Sequence, residues 1–284
     1  MTTSPKIPLT LTWGRERYGR GPLEYEFDVL NVAIPGLPAP LKLLYIEVFA
    51  RRSSSADLSD HFISFVTEQT SAASDGRRIE LRSRLDDGVV IDHVLTAGDG
   101  EVDLRLDVHN PTDRASDLEY PAACLPTAEF TGTSRELGSE EFLAKCFITT
   151  GNGIRRLTEL DEPIAADPQP FPDVVLRGQR WVSSLTRGEG ELMNAEEVSS
   201  IEPASGLIGC FSADESLIAA VAWEPFHSLD QAALGCVHSH PWVGGVAPGE
   251  SKTLRGKIYV VSSIPELLAR HSRDFALPEV PAGV

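Results

Sequence analysis

From Ile79 to His109 apolar and polar residues alternate with few exceptions. Ile79-Glu80-Leu81-Arg82-Ser83-Arg84-Leu85 runs into Asp86-Asp87-Gly88, and Val89-Val90-Ile91-Asp92-His93-Val94-Leu95 leaves it. After Ala97-Gly98-Asp99-Gly100 the chain enters Val102-Asp103-Leu104-Arg105-Leu106-Asp107-Val108-His109, where Val102, Leu104, Leu106 and Val108 share one face. A period of two commits such a segment to a sheet with one face buried. Asp-Gly between alternating runs is a hairpin signal, because the turn needs the positive φ that glycine supplies. Asn110-Pro111-Thr112-Asp113 then closes the third strand with turn chemistry. The segment is therefore predicted to be an antiparallel meander.

The rest of the chain repeats the style. Strands are expected at 9–13, 25–29, 43–49, 207–211, 217–223, 236–239 and 252–261, with Ser212-Ala213-Asp214-Glu215 and Pro248-Gly249-Glu250 as turns. One short helix is expected near the C-terminal end, Ile264 to Arg273, with Ser263 as cap and Pro265 and Glu266 in its first turn. Glu140 to Cys146 reads as a short piece of helix or strand. Glu159 to Arg180, rich in Pro and Asp, reads as a surface excursion that can form a site wall or lid. The expected fold class is all-β, a large antiparallel β-sandwich with one short C-terminal helix, in a single domain spanning 1–284.

Charge narrows the partners. The 42 acidic and 25 basic residues give a formal net charge of -17, a field that repels phosphate backbones and anionic headgroups. Nucleic acid and membrane surfaces are thus excluded as expected partners, and a small-molecule or oligosaccharide substrate is left. Met1 to Trp13 lacks the basic start and apolar run of a secretory signal, so a cytoplasmic setting is expected. Cys124, Cys146, Cys210 and Cys236 stand singly among small or apolar neighbours and read as buried free thiols. With no Walker loop, Rossmann fingerprint or GxSxG elbow, no cofactor is expected.

The densest group of chemically able residues is Cys236-Val237-His238-Ser239-His240-Pro241-Trp242. On a strand His238 and His240 point the same way, so they can act as acid and base or share a metal. A metal needs further ligands, for which Glu224, His227 and Asp230 are the candidates. An exposed strand end is the plainer alternative. Glu224 and His227 close the apolar run Ala220-Val221-Ala222-Trp223, and a carboxylate beside aromatic rings suits a sugar site. An exposed turn glutamate is the alternative there. Arg255 and Lys257 share a strand face, with Gly256 between them allowing close approach. They can hold a carboxylated sugar or simply be solvated. Tyr120 is a candidate proton donor or anchor, or else a core tyrosine.

Three blocks resemble a set of uncharacterised bacterial proteins of planctomycete-type genomes. They are Asp107 to Asp113 with Cys124-Leu125 and Phe130-Thr131-Gly132-Thr133; Gly206 to Glu215; and Cys236 to Ser239 with Pro248-Gly249-Glu250 and Leu254 to Tyr259. Members of that set often carry an acidic residue at the position of His240, which makes His238 the better candidate. The strand order with its Asn-Pro-Thr turn is in turn similar to the galactose-mutarotase-like supersandwich. That second resemblance implies sugar epimerisation, lyase chemistry or sugar binding.

The function expected from these readings is a carbohydrate-active enzyme, an epimerase/mutarotase or lyase. His238 would be the acid/base, with His240, Glu224 and Tyr120 as catalytic partners. Arg255, Trp242, Trp223 and His227 would contact substrate. The alternatives are a non-catalytic carbohydrate-binding module presenting Trp181, Trp223 or Trp242, and a metal-dependent enzyme using the His238/His240 pair.

Overall fold

The computed structural model describes residues 6–18, 25–51, 58–133, 140–159, 180–184, 203–232 and 235–275. Two antiparallel sheets face each other. The first runs, in spatial order, β1 (Thr10–Tyr18), β2 (Tyr25–Ala33), β3 (Leu41–Arg51), β9 (Leu118–Pro126), β16 (Cys236–Pro241), β15 (Phe226–Ala232) and β12 (Arg180–Ser184). The short β4 (Phe62–Ile63) pairs with β3. The second runs β11 (Gly153–Arg156), β10 (Cys146–Thr150), β13 (Pro203–Phe211), β14 (Ile218–Glu224), β17 (Ser251–Val261), β8 (Glu101–His109), β7 (Val90–Ala97), β6 (Arg78–Leu85) and β5 (Phe65–Ala72). Helices α1 (Ala128–Thr131) and α2 (Glu140–Lys145) are short, and α3 (Ile264–Phe275) is the one longer helix among the described residues. The expected all-β sandwich with a short C-terminal helix is what the chain forms. No helix among the described residues is long and apolar enough to cross a membrane.

Alternation builds the core. Val102, Leu104, Leu106 and Val108 are all at most 1% exposed, and they join Ile91, Val221 and Ile258 in a cluster shared with Leu30, Leu43, Phe49, Leu125 and Leu229 of the first sheet. The Asp-Gly turn is fixed by more than conformation. Gly88 has φ +95, and a Cβ there would lie 2.4 Å from Thr112 Cγ2. Asn110, fully buried, holds the facing turn by donating Nδ2–H to the carbonyls of Arg114 and Val246 and accepting from Thr112.

Strands β4, β5, β11 and β12 were not expected, and two further departures bear on the site. The segment Tyr120 to Leu125, absent from the expected strands, is the centre of β9, which is buried on both faces and so shows no alternation. The polar stretch expected to end β14 instead changes sheets: after Pro225 the chain continues as β15 in the first sheet. Glu140 to Cys146 divides into α2 and the start of β10. Of the long excursion, residues 160–179 lie outside the described residues, as does the side chain of Trp181.

Candidate acid–base site

The hairpin β15–β16 and strand β9 bring the candidate residues together. On β16, Val237 points into the core, so Cys236, His238 and His240 project from the opposite, outward face of the first sheet. On β15, Leu229 points inward and Asp230 outward, directly across from His238. On β9, Ala123 and Leu125 point inward while Tyr120, Ala122 and Cys124 point outward, and Cys124 is the Cα partner of His238 on the other side. Asp230, His238 and Cys124 thus form one row across three strands.

Asp230 organises the row. Its Oδ2 accepts from His238 Nδ1 and its Oδ1 from His240 Nε2, both at 2.7 Å. The two imidazoles lie 5.5 Å apart and nearly parallel, at 13°. These bonds fix each ring's tautomer and direct His238 Nε2 and His240 Nδ1 away from the carboxylate. Tyr120 stacks on His227 at 4.4 Å and leans on His240 at 4.9 Å. All five side chains belong to buried residues.

The charges follow from these contacts. Burial opposes ionisation of Asp230, but His238 and His240 outweigh it and hold the carboxyl well below its ordinary range. Burial likewise opposes charge on His238, yet Asp230 and Cys236 raise its pKa well above the ordinary histidine value. His240 is lowered, by burial first, and by the charge of His238. One imidazole therefore holds a proton where the other gives one up, the separation of pKa values that acid–base pairs need. Cys236, bonded by Cys124 and His238, is pulled down to about 6, whereas burial pushes Cys124 up. Glu47, partly buried on β3, is raised to about 7, chiefly by desolvation, with His238 acting the other way.

The structure does not bring Trp223, Glu224 or Arg255 to this group. Trp223 is fully buried in the core between the sheets, its ring packed on Gly256, where a Cβ would lie 2.5 Å from the indole. It is a packing residue and presents no platform. Glu224 follows Ala220 and Ala222 on the outward face of the second sheet and accepts the Gly206 N–H at 2.9 Å. Arg255, its Cα partner on β17, is exposed on that same sheet. Both sit on the wrong sheet because the chain changes layer at Pro225. Trp242 lies just past β16, its ring over Gly244 and its Nε1–H donated to Glu119 at 3.2 Å. Asp230 and His227 do join the histidines. Cys124 and Glu47 were not anticipated; their approach depends on strand pairing over more than a hundred residues, which no local spacing records.

No family model matches the chain, and no curated protein does. Among solved structures it is similar to a putative aldose 1-epimerase from Escherichia coli K12, with 11% identity, 89% of this chain and 100% of that one covered, and a TM-score of 0.44. A galactose mutarotase-like protein from Lactobacillus casei gives 9% identity, 87% and 100% coverage, and a TM-score of 0.41. A TPR-domain containing protein from Parabacteroides distasonis gives 9% identity, 98% and 57% coverage, and a TM-score of 0.37.

Proposed function

We propose that this protein is an enzyme moving protons on a carbohydrate, as a sugar epimerase/mutarotase or a lyase acting on a sugar acid. Its acid–base group would be Asp230, His238, His240 and Tyr120. The observation that carries the reading is the single buried carboxylate of Asp230 gripping two parallel imidazoles, one of them against Tyr120.

Both reactions need a base to take a proton and an acid to return one. In ring opening, the anomeric hydroxyl loses its proton, the ring oxygen gains one and the bond between anomeric carbon and ring oxygen breaks. Reclosure on the other face reverses each transfer. His240 and His238 hold opposite protonation tendencies in one network, and Tyr120 adds a hydroxyl beside them. The Tyr120–His227 stack adds aromatic surface of the kind that packs on the C–H face of a sugar.

The test is a panel of aldoses and uronic acids followed by polarimetry and NMR. His240→Asn is expected to lower kcat by about 10²–10⁴-fold, and Tyr120→Phe to lower it less. Absence of turnover on the whole panel, or an unchanged rate in His240→Asn, would set the reading aside.

A further inference from the structure

The sulfur atoms of Cys124 and Cys236 and a ring nitrogen of His238 lie within 4.8 Å of one another, and all three residues are buried. The geometry points to a binding site for one divalent transition-metal ion, zinc by its donor set, held by these three side chains.

The donors come from rigid neighbouring strands. Cys124 faces His238 across the β9–β16 pair, and Cys236 precedes His238 by two residues on the same face. Ligand atoms around a tetrahedral zinc with two sulfurs and a nitrogen stand about 3.5–3.8 Å apart, given bonds of about 2.0–2.3 Å. A set already inside 4.8 Å closes on an ion with a contraction of about 1 Å. Thiolates with one imidazole are soft donors, which select zinc over magnesium or calcium.

The surroundings supply the second requirement. A histidine on a metal commonly donates its other ring N–H to a carboxylate, which fixes the ring and raises its basicity. His238 Nδ1 is bonded to Asp230 Oδ2 at 2.7 Å, so Nε2 is the nitrogen left for the ion. Glu47 on β3 feels the charges of both His238 and Cys236. Asp230, His238 and His240 also cluster within 4.8 Å. There, however, each carboxylate oxygen already receives an imidazole N–H at 2.7 Å, and a metal would have to displace both bonds. The two thiols form only weak hydrogen bonds, so an ion displaces little at their site.

A bound ion takes His238 Nε2 and leaves proton transfer to His240 and Tyr120; the site itself does not rest on the acid–base reading, because metal retention is measured without substrate. The full-length protein is purified under reducing conditions, reconstituted with zinc, desalted and analysed for metal. About one zinc per chain is expected for the unaltered protein and for His240→Asn, and about none for Cys124→Ser or Cys236→Ser. Cobalt(II) added to the unaltered protein reads the ligands without any substitution: a thiolate-to-cobalt charge-transfer band, abolished by zinc, is expected. Failure to retain stoichiometric zinc, a cobalt spectrum without that band, or zinc lost by His240→Asn but kept by Cys124→Ser would overturn the assignment. A Cys124–Cys236 disulfide that persists under reduction would overturn it as well.

Discussion

Asp230 and His238 are Cα partners on adjacent antiparallel strands, and their side chains meet at 2.7 Å on the outward face of the sheet. The pair converts a strand register into a fixed tautomer. With Nδ1–H committed to the carboxylate, the imidazole offers its Nε2 in one direction only. His240, two residues on, reaches the second oxygen of the same carboxylate, so one acidic residue orients both rings.

Removing that carboxylate should therefore cost both function and stability. Asp230→Ala removes the buried carboxylate to which both imidazoles are bonded, and is expected to destabilise the protein by about 3–5 kcal/mol. Asp230→Asn, which keeps the shape, should cost less stability but still lower any turnover by at least about 10²-fold. Urea denaturation and steady-state kinetics on the two variants check this; equal stability of Asp230→Ala and the unaltered protein would contradict it.

A histidine remote from the site should set the acid sensitivity of the fold. His93 is buried between the sheets, bonded to Ser83 Oγ at 2.9 Å and Tyr45 Oη at 3.2 Å, and desolvation lowers its pKa to about 3. The unfolded chain protonates this group near pH 6.5, whereas the folded chain does not until about pH 3. Its contribution to stability is thus intact above pH 6.5 and falls as pH drops through that window. Between pH 7 and 5 the loss is about 2 kcal/mol. His93→Gln should lose less stability over that interval by about this amount, as read from urea midpoints at the two pH values.

Trp223 and Gly256 predict a steric penalty. A methyl group at Gly256 would enter the indole ring at 2.5 Å, so Gly256→Ala is expected to destabilise by about 1–3 kcal/mol. Trp223→Ala should cost about 3–5 kcal/mol through the cavity it leaves. Neither residue touches the histidines, and zinc retention in the folded fraction should be unchanged. Thermal melts with metal analysis test both statements.

Helix α3 is tied to the second sheet by charge. Glu101 accepts from Lys257 at 3.1 Å, from Arg270 at 3.3 Å and from Arg273 at 2.7 Å, while Asp274 accepts the Tyr259 hydroxyl at 3.0 Å. The Lys257 side chain is only 6% exposed. Glu101→Ala leaves this ammonium with Asp103 and Asp274, and should cost about 2–4 kcal/mol, with faster amide exchange concentrated in 264–275. Exchange raised evenly over the whole chain would argue against the local role.

The sandwich was readable because its meander has one dry and one wet face, so burial wrote itself into the sequence as alternation. Where both faces are covered, as in β9, apolar residues run on without a period, and Tyr120 and Cys124 could not be placed. His238 and His240 were found from their spacing alone. Glu224 and Arg255 misled because a strand-ending Glu-Pro looks the same whether the chain turns back or passes to the other layer, and here it passes. Asp230 had a place among the candidates, but only cross-strand pairing gives it the central one.

From Tyr120 on β9, from Ser228 on β15 and along β16, past the register shifts near Leu118 and Phe226, the core is lined by odd-numbered residues, Ala123, Leu125, Leu229 and Val237, and the candidate site by even-numbered ones, Tyr120, Cys124, Asp230, Cys236, His238 and His240. Packing and chemistry therefore share one parity. Inserting a single residue near the start of β16 would turn three polar or thiol groups into the core and expel Val237, so selection on folding alone also guards the orientation of the reactive groups. What each side chain on that face does depends on its chemistry, but its direction is inherited with the fold.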